Sequence, residues 1–284
     1  MKMVMRIFAA VIILVMTASF AFAVQIGPDP TSTALNGDGP FAITSVKVPM
    51  TSVSGFGGGT IYYPNTAGSY GVIVVAPGHA ATNSQIMWFA QRLASHGFVT
   101  MAMNFISTLD LVEWRATQLR SAVKYMTNSS SSTVRSRMDT SRRAVAGHSM
   151  GGGATLVASK QDSTLKAGIP MAPFSMTTTS FSTMQVPQMI MGMDGDTTAT
   201  ISSHATKFYK SIPTSTSKAY AVLNNAVHST PTSGTDERIG RYGVAWAKRF
   251  VDGDTRYSAF LCGAEATAYN TSARFDSYQS NCPY

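Results

Sequence analysis

The sequence is poor in cysteine and in charged residues. Only 2 of its 284 residues are Cys and 13% are charged, with 14 Asp+Glu against 22 Lys+Arg. Hydrophobic residues make up 44% of the chain, and its mean hydropathy is +0.05. The chain therefore has enough apolar side chains to offset the conformational entropy lost on folding. This composition excludes an intrinsically disordered protein and predicts a globule with a hydrophobic core.

A dense cluster of basic residues is also missing. The formal net charge is +8, but the adjacent basic pairs are limited to Arg142-Arg143 and Lys248-Arg249. Binding to nucleic acid requires cations clustered on one surface. We therefore expect a solvated, weakly basic surface and no nucleic-acid partner.

The apolar start of the chain predicts a signal peptide rather than a membrane span. Lys2 and Arg6 precede the apolar residues 7–16, and Ala21-Phe22-Ala23 has the small residues of a cleavage site. The apolar stretch is too short to cross a bilayer. We expect cleavage after Ala23 and secretion of residues 24–284, with a net charge of +6 once Lys2 and Arg6 are removed.

The two cysteines fit an exported protein. Cys262 and Cys282 both lie in a tail rich in Tyr, Asn and Ser, after the last predicted helix. An oxidising export route favours a disulfide between them, which would stabilise the fold by roughly 3 kcal/mol. Their wide spacing, with no neighbouring His, does not match a metal site.

Strand and helix patterns alternate through most of the chain. The continuous apolar run at residues 72–76 is typical of a strand buried on both faces of a sheet. The alternation predicts a single α/β domain over residues 24–284, with a mainly parallel sheet flanked by helices. We expect strands at residues 42–48, 60–63, 72–76, 98–103, 143–147, 167–171, 188–193 and 219–223, and helices at 84–96, 109–126, 150–159, 202–211 and 238–251.

The segment between Pro173 and Pro187 is short. Its 13 residues are too few for a helical lid or cap domain. We therefore expect an open site, which can receive a segment of a polymer chain that a tunnel would exclude.

Gly147-His148-Ser149-Met150-Gly151 matches the G-x-S-x-G nucleophile elbow. The pattern alone is weak because Gly and Ser are abundant, but a predicted strand precedes it and a small-residue helix follows. Glycines let such a strand and helix approach closely. This context favours Ser149 as a nucleophile over a serine that only caps the helix. Oxyanion stabilisation is then expected from the backbone N–H groups of Met150 and of His79 in the loop after residues 72–76.

Five histidines could serve as the general base. His228 follows the strand at residues 219–223 and alone satisfies the chain order Ser, acid, His. We therefore predict that His228 accepts the Ser149 proton. His148 adjoins the nucleophile and is expected to have a binding role. His96 and His204 are expected on the surface.

The acid of the triad must lie between Ser149 and His228. Asp162, Asp194 and Asp196 are the carboxylates in that interval. Asp162 follows the helix after the elbow and should lie at the far end of the sheet. Asp194 and Asp196 both end the predicted strand at 188–193, and the pattern does not separate them. The one that is not the acid is expected to make turn hydrogen bonds around Gly195.

Short segments spread over nearly the whole mature chain form a combination more specific than the elbow alone. They are residues 71–78, 92–98, 147–153, Ala172-Pro173, Asp194-Gly195-Asp196, His228-Ser229 and residues 243–250. The combination resembles the bacterial cutinase-like polyester hydrolases, which include the poly(ethylene terephthalate) (PET) hydrolases. The resemblance implies a secreted α/β-hydrolase without a lid that acts on esters of polymers and lipids. It also implies that Asp196 is the acid, and it matches Cys262 and Cys282 to a C-terminal disulfide.

The resemblance extends to residues that would contact substrate. It assigns this role to His79, where the family usually carries Tyr or Phe, and to Phe174, where it usually carries Trp. Thr198 stands at a usual Ile or Val, and Ser229 is shared with the mesophilic PET hydrolases. The expected substrate-binding residues are His79, His148, Met150, Phe174, Thr198 and Ser229.

The sequence is thus interpreted as a secreted serine carboxylester hydrolase that cleaves polyesters, both cutin-like aliphatic ones and PET, through an acyl-enzyme. One alternative is a triacylglycerol lipase or short-chain esterase with little activity on polymers. Another is a non-catalytic module that binds surfaces. We expect a monomer without cofactor or metal, whose partner is a polyester or lipid ester at an interface.

Overall fold

Nine strands form one sheet in the part of the chain that the computed structural model describes, residues 24–234 and 236–284. The expected signal peptide lies outside these residues. The strands lie side by side in the order β1-β2-β4-β3-β5-β6-β7-β8-β9. In chain order they are β1 (Ile43–Val48), β2 (Gly59–Pro64), β3 (Tyr70–Ala76), β4 (Phe98–Met103), β5 (Met138–His148), β6 (Ala167–Met171), β7 (Gln188–Met193), β8 (Lys218–Leu223) and β9 (Phe275–Ser280).

Helices cover both faces of this sheet. The six central strands, from β4 to β8 in the sheet order, pair in parallel, and antiparallel pairing occurs at the two edges. The predicted α/β class with a mostly parallel sheet is confirmed. The helices are α1 (Ser32–Leu35), α2 (Met87–Ser95), α3 (Val112–Asn128), α4 (Ser132–Arg135), α5 (Met150–Gln161), α6 (Ala205–Ser211), α7 (Glu237–Phe250), α8 (Ala259–Cys262) and α9 (Ala264–Tyr269).

Strand β3 shows why a continuous apolar run forms here rather than an alternating one. Its side chains point to opposite faces in turn, so Val72 and Val74 pack on the α3 side with Leu119. Ile73 points to the other side, into the core cluster that also contains Trp246 of α7. Both faces of β3 are buried from solvent, so a polar side chain on either face would lack a hydrogen-bond partner.

The parallel direction of the central strands gathers the predicted site residues at one edge of the sheet. In such sheets, ligand sites form beyond the carboxyl ends of the strands. His79 follows β3, Ser149 follows β5 and Phe174 follows β6. Asp196 follows β7 and His228 follows β8.

The C-terminal tail is more structured than the sequence indicated. Helices α8 and α9 and strand β9 were not predicted, because Ser, Asn and Tyr dominate this segment and no apolar period marks it. Strand β9 pairs antiparallel with β8 at the sheet edge and leaves most of its residues partly exposed. The predicted disulfide between Cys262 and Cys282 is confirmed, with 5.8 Å between the two Cα atoms, and it ties α8 to the residues after β9.

One residue of each adjacent basic pair is buried in the interior. Arg142 and Lys248 both contact the carboxylate of Asp252, and all three side chains are buried. Burying one charge without its partner would be costly, so the three groups depend on each other. Two of the cations that raise the net charge, Arg142 and Lys248, are therefore buried.

Within the described segments, no helix is both long enough and apolar enough to cross a bilayer. The connection from β6 to β7 consists of turns and extended backbone without a helix.

His96 is buried, which corrects the expectation that it lies on the surface. Only 4% of the residue is exposed, and its Nε2 lies 3.1 Å from the Gly37 carbonyl oxygen. Burial lowers its pKa to about 4, against a smaller opposing effect of that hydrogen bond. The nearby cations Lys248 and Arg92 lower the pKa further. The ring is therefore neutral at pH 7.

Replacing His96 with Gln is expected to flatten the acid dependence of stability. The folded-state pKa of about 4 lies below the ordinary value of 6.5, so the unfolded chain binds more protons between these values. The stability is complete above the unfolded pKa and is lost as the pH falls through the folded pKa. Urea unfolding between about pH 7.5 and about pH 4.5 should show a midpoint that falls more steeply in the wild type than in His96→Gln.

The matched control is His79→Gln, since the His79 side chain is exposed. This variant should show the same fall of the urea midpoint with pH as the wild type. If His96→Gln also shows the wild-type fall, the lowered pKa of His96 is contradicted.

Candidate active site

Ser149 occupies a sharp turn between the end of β5 and the start of α5. Its backbone has φ 55° and ψ −122°, in the region of positive φ that a residue with a Cβ rarely adopts. The glycines around it leave the space that this turn needs. A Cβ on Gly147 would lie 2.4 Å from the Gly151 carbonyl oxygen, and one on Gly151 would lie 2.4 Å from that of Pro77. The turn therefore depends on both glycines.

The structure brings Ser149, His228 and Asp196 into one hydrogen-bonded chain. His228 Nε2 lies 2.9 Å from Ser149 Oγ, and His228 Nδ1 lies 2.7 Å from Asp196 Oδ2. A proton can thus pass from the hydroxyl to the imidazole while the carboxylate orients the ring. The three residues come from three different strand ends, so only the assembled sheet makes these contacts.

Asp196 is set up to remain a carboxylate. Its other oxygen accepts hydrogen bonds from the amides of Thr198 at 2.8 Å and Ala199 at 2.7 Å. Burial opposes ionisation, but the hydrogen bonds from His228 and from these amides outweigh it and lower the pKa of Asp196. A negative charge facing His228 Nδ1 stabilises the imidazolium that would form when the ring accepts a proton.

Asp194 makes different contacts, although it is only two residues away. It is exposed, and its carboxylate accepts hydrogen bonds from the amides of Gly195, Asn225 and Ala226. These bonds join the turn after β7 to the loop after β8, which carries His228. Asp194 therefore organises the loops, and it is Asp196 that contacts the imidazole.

His148 is buried behind the triad. Only 6% of the residue is exposed, so a direct contact with substrate would be confined to that fraction. Burial lowers its pKa to about 4, and the nearby His228 contributes in the same direction. The neutral ring lies with Nε2 2.8 Å from the His228 carbonyl oxygen, where it acts as a donor and holds the His228 backbone.

The loop after β3 lies directly against the nucleophile. A Cβ on Gly78 would come within 3.1 Å of Ser149 Cβ, so the backbone passes where a side chain cannot. His79 follows with an exposed side chain, and Met150 is the first residue of α5. The amides of these two residues are the predicted oxyanion donors. Helix α5 also directs its positive N-terminal end toward the same point.

Phe174, Thr198 and Ser229 surround the cleft. The Phe174 amide donates to the Ser149 carbonyl oxygen at 2.9 Å, which ties the wall of the cleft to the elbow. Thr198 and Ser229 are both exposed, on the loops that carry Asp196 and His228. Four of the residues predicted to contact substrate, His79, Phe174, Thr198 and Ser229, thus lie on loops at the strand ends. His148 is the last residue of β5 and Met150 the first of α5, on either side of Ser149.

Sequence reasoning missed the packing of His204 against Phe174. It was expected on the surface, yet its ring stacks on Phe174 with 4.8 Å between the ring centres. Phe208 packs edge-on against the same imidazole. Phe174 and His204 are far apart in the chain, so no local pattern could have joined them.

Among the described residues, no group of three or more His, Cys, Asp or Glu side chains is placed to hold a metal ion.

Comparisons with known proteins point to a single family. The family model described as PETase, PET hydrolase-like, matches residues 18–283. Cutinase est1 of Thermobifida alba is 48% identical over 259 residues, which cover 91% of this chain and 86% of that protein. Cutinase 1 of Thermobifida cellulosilytica is 46% identical, with 91% and 97% covered. A bis(hydroxyethyl) terephthalate hydrolase of Streptomyces coelicolor is 42% identical over 261 residues, with 91% and 82% covered.

Exchanging each of the two aspartates for Asn tests the geometry directly. Asp196→Asn should lower kcat for a soluble ester by about 10³–10⁴-fold, because the neutral amide no longer orients and stabilises the imidazolium. Asp194→Asn keeps one acceptor oxygen, for the amides of Gly195 and Ala226, and loses only the exposed acceptor of the Asn225 amide, so kcat should change by less than about threefold. The measurement is steady-state hydrolysis of p-nitrophenyl butyrate, with folding checked by circular dichroism. Equal losses in the two variants would contradict the assignment.

Proposed function

Because the chain belongs to the PET hydrolase-like family, we propose that it is a serine carboxylester hydrolase that cleaves polyester ester bonds through an acyl-enzyme. The observation that carries this proposal is the hydrogen-bonded chain from Ser149 through His228 to Asp196. The strained turn presents the hydroxyl of Ser149 beside residues 77–80 of the loop after β3, the oxyanion loop, as nucleophilic attack on a carbonyl requires.

In the first half of the reaction, Ser149 Oγ attacks the ester carbonyl carbon while His228 Nε2 takes the hydroxyl proton. The carbonyl π electrons move to oxygen, and the amides of His79 and Met150 stabilise the resulting oxyanion. The tetrahedral intermediate then collapses. The bond from carbon to the alkoxy oxygen breaks, and that oxygen takes the proton from His228, so the alcohol end of the polymer leaves.

The second half repeats these steps with water. His228 removes a proton from water, and the hydroxide formed attacks the acyl carbon. Collapse of the second tetrahedral intermediate breaks the bond to Ser149 Oγ, which recovers the proton from His228. The carboxylic acid is released, and the triad returns to its starting protonation state.

A variant of the nucleophile and a comparison of substrates separate this proposal from its alternatives. Ser149→Ala should lower hydrolysis of p-nitrophenyl butyrate at least about 10⁴-fold, since the acyl-enzyme cannot form. Undiminished hydrolysis would overturn the nucleophile. The wild type should also release acids from amorphous PET film and from an aliphatic polyester film. Activity on soluble esters or triacylglycerol without any film product would favour the lipase or short-chain esterase.

We place the protein outside the cell. The leading residues 1–23 read as a signal peptide cleaved after Ala23. The disulfide supports an oxidising compartment. N-terminal sequencing of protein secreted by an expression host would test the cleavage site, for which Val24 is the expected first residue.

We further propose that the enzyme works at a polyester surface, through an apolar rim beside the cleft. The rim combines the loop before α3, the start of α3 and Met176, which lies two residues after Phe174. The Ala80 amide donates to the Thr108 carbonyl oxygen at 2.8 Å, so the oxyanion loop and the rim are directly connected. The exposed side chains of the rim are Ile106, Leu109, Leu111, Trp114 and Met176.

The charged side chains of the rim are engaged by neighbouring groups of the chain. Asp110 accepts from the Gln118 side chain, and Arg115 is fully buried. The Glu113 carboxylate accepts from the hydroxyls of Thr177 and Thr178. Asp110 and Glu113 are less exposed than the large apolar side chains beside them, whereas large apolar side chains are usually the more buried ones. An exposed apolar patch of this kind marks an interaction site.

The rim is tested by adsorption in the inactive Ser149→Ala background, where no film is consumed. Replacing Leu109, Leu111 and Trp114 together with Gln should lower the amount bound to polyester film at least about fivefold, because the apolar area buried at the film is lost. In the active enzyme, the same changes should reduce film hydrolysis more than hydrolysis of a soluble ester.

Val46→Gln is the matched control, since Val46 is an exposed apolar residue on the edge strand β1. It should bind film like the parent. Equal film binding by the triple variant and the parent would sink the rim proposal and leave the esterase assignment untouched.

A further inference from the structure

Arg115 lies buried behind the oxyanion loop. It is 0% exposed, and its guanidinium lies 4.4 Å from the centre of the Phe105 ring. Its donors reach backbone carbonyl oxygens on two loops. Nη1 donates to Gly78 at 3.0 Å, Nη2 donates to Thr108, and Nε donates to Asp110 at 2.6 Å.

No carboxylate forms a salt bridge with this cation within the described residues. The Asp110 side chain instead accepts from the Gln118 amide and from the Ser107 backbone. Burial lowers the pKa of Arg115 to about 10, against the opposing attraction of the nearby Asp110 carboxylate, so the group still carries its charge at neutral pH. A buried cation that is balanced mainly by carbonyl oxygens is costly to keep.

The contact at Gly78 bears on the predicted oxyanion donor. The Gly78 carbonyl and the His79 N–H belong to one planar trans peptide, in which they point in opposite directions. A bond that fixes the carbonyl therefore also fixes the direction of the N–H. A cation at the carbonyl oxygen draws electron density from the peptide and makes the N–H a stronger donor.

Thr108 holds the loop on its other side. Its carbonyl oxygen accepts from Arg115 and also from the Ala80 amide at 2.8 Å. Ala80 has φ 52°, a conformation that costs energy for a residue with a Cβ and persists only where its surroundings hold it. Arg115 thus secures both neighbours of His79, namely Gly78 directly and Ala80 through Thr108.

We propose that Arg115 is a positioning residue that orients and polarises the Gly78–His79 peptide, so that the His79 N–H is aimed at the oxyanion before charge develops. The inference rests on the proposed function, because it concerns the oxyanion site of that reaction. Arg115 does not touch the substrate. Its effect should appear in the transition state, where the oxyanion exists, and hardly at all in ground-state binding.

The test compares Arg115→Met and Arg115→Lys with the wild type. Arg115→Met should lower kcat for p-nitrophenyl butyrate by about 10–100-fold, with KM changed by less than about twofold. Affinity for a boronic acid, whose serine adduct is tetrahedral, should fall by a similar factor. Affinity for a planar amide analogue of the substrate should stay nearly constant. Arg115→Lys retains the charge with fewer donors, so its kcat and boronate affinity should lie between those of the wild type and Arg115→Met. If Arg115→Met does not fold, Arg115→Lys provides the test.

Arg241 offers a matched control, because it is another arginine with 0% exposure. It lies in α7, donates to the Ser32 carbonyl oxygen at 3.0 Å and stacks on Tyr269. Arg241→Met and Arg241→Lys should lower the melting temperature and leave kcat and boronate affinity unchanged.

Two outcomes would overturn the inference. In one, folded Arg115 variants lose only stability, as the Arg241 variants do. In the other, boronate and amide affinities fall equally, which would indicate general distortion of the cleft. A wild type without ester hydrolysis would instead remove the proposed function itself, so the two failures are distinguishable.

Discussion

The positive φ of Ser149 is the constraint on which the site depends. A serine adopts this conformation only where its surroundings hold it, and here the glycines on either side let β5, the β3 loop and α5 come within backbone contact. The turn lifts the hydroxyl out of the sheet edge toward His228. It also leaves the first amide of α5 facing the same space. The proposed nucleophile Ser149 and the proposed oxyanion donor, the Met150 amide, are therefore positioned by one backbone geometry.

The loops around this turn are held by hydrogen bonds to backbone groups. Asp194 joins the loops of Asp196 and His228, the neutral His148 holds the His228 carbonyl, and Arg115 holds the loop of His79. Such supports matter because a catalytic group displaced by a fraction of an ångström loses much of its effect. The chain has few charged residues, and several of them are buried in the interior, where they hold backbone groups or each other.

Much of the fold could be predicted from local patterns. The central strands were predicted almost to the residue, because β4, β6 and β7 are bounded apolar runs. Strand β5 was predicted five residues too short at its start, since the polar segment before Arg143 hides a strand that pairs with Tyr70. The tail was missed because β9 is a polar edge strand that exists only through pairing with β8. The histidines were less predictable, since burial of His96 and stacking of His204 come from distant segments.

The sequence by itself determined the class of fold, the nucleophile elbow and the chain order that singles out His228, because these follow from hydrophobic period, glycine placement and spacing. It left Asp194 and Asp196 equivalent, apart from a family resemblance, since both end the same strand. Only the tertiary structure distinguished them, by placing the Asp196 carboxylate 2.7 Å from the imidazole and the Asp194 carboxylate on the loop amides. It alone brought Arg115 behind the oxyanion loop, because a contact between a helix and a strand-end loop has no local signature in the chain.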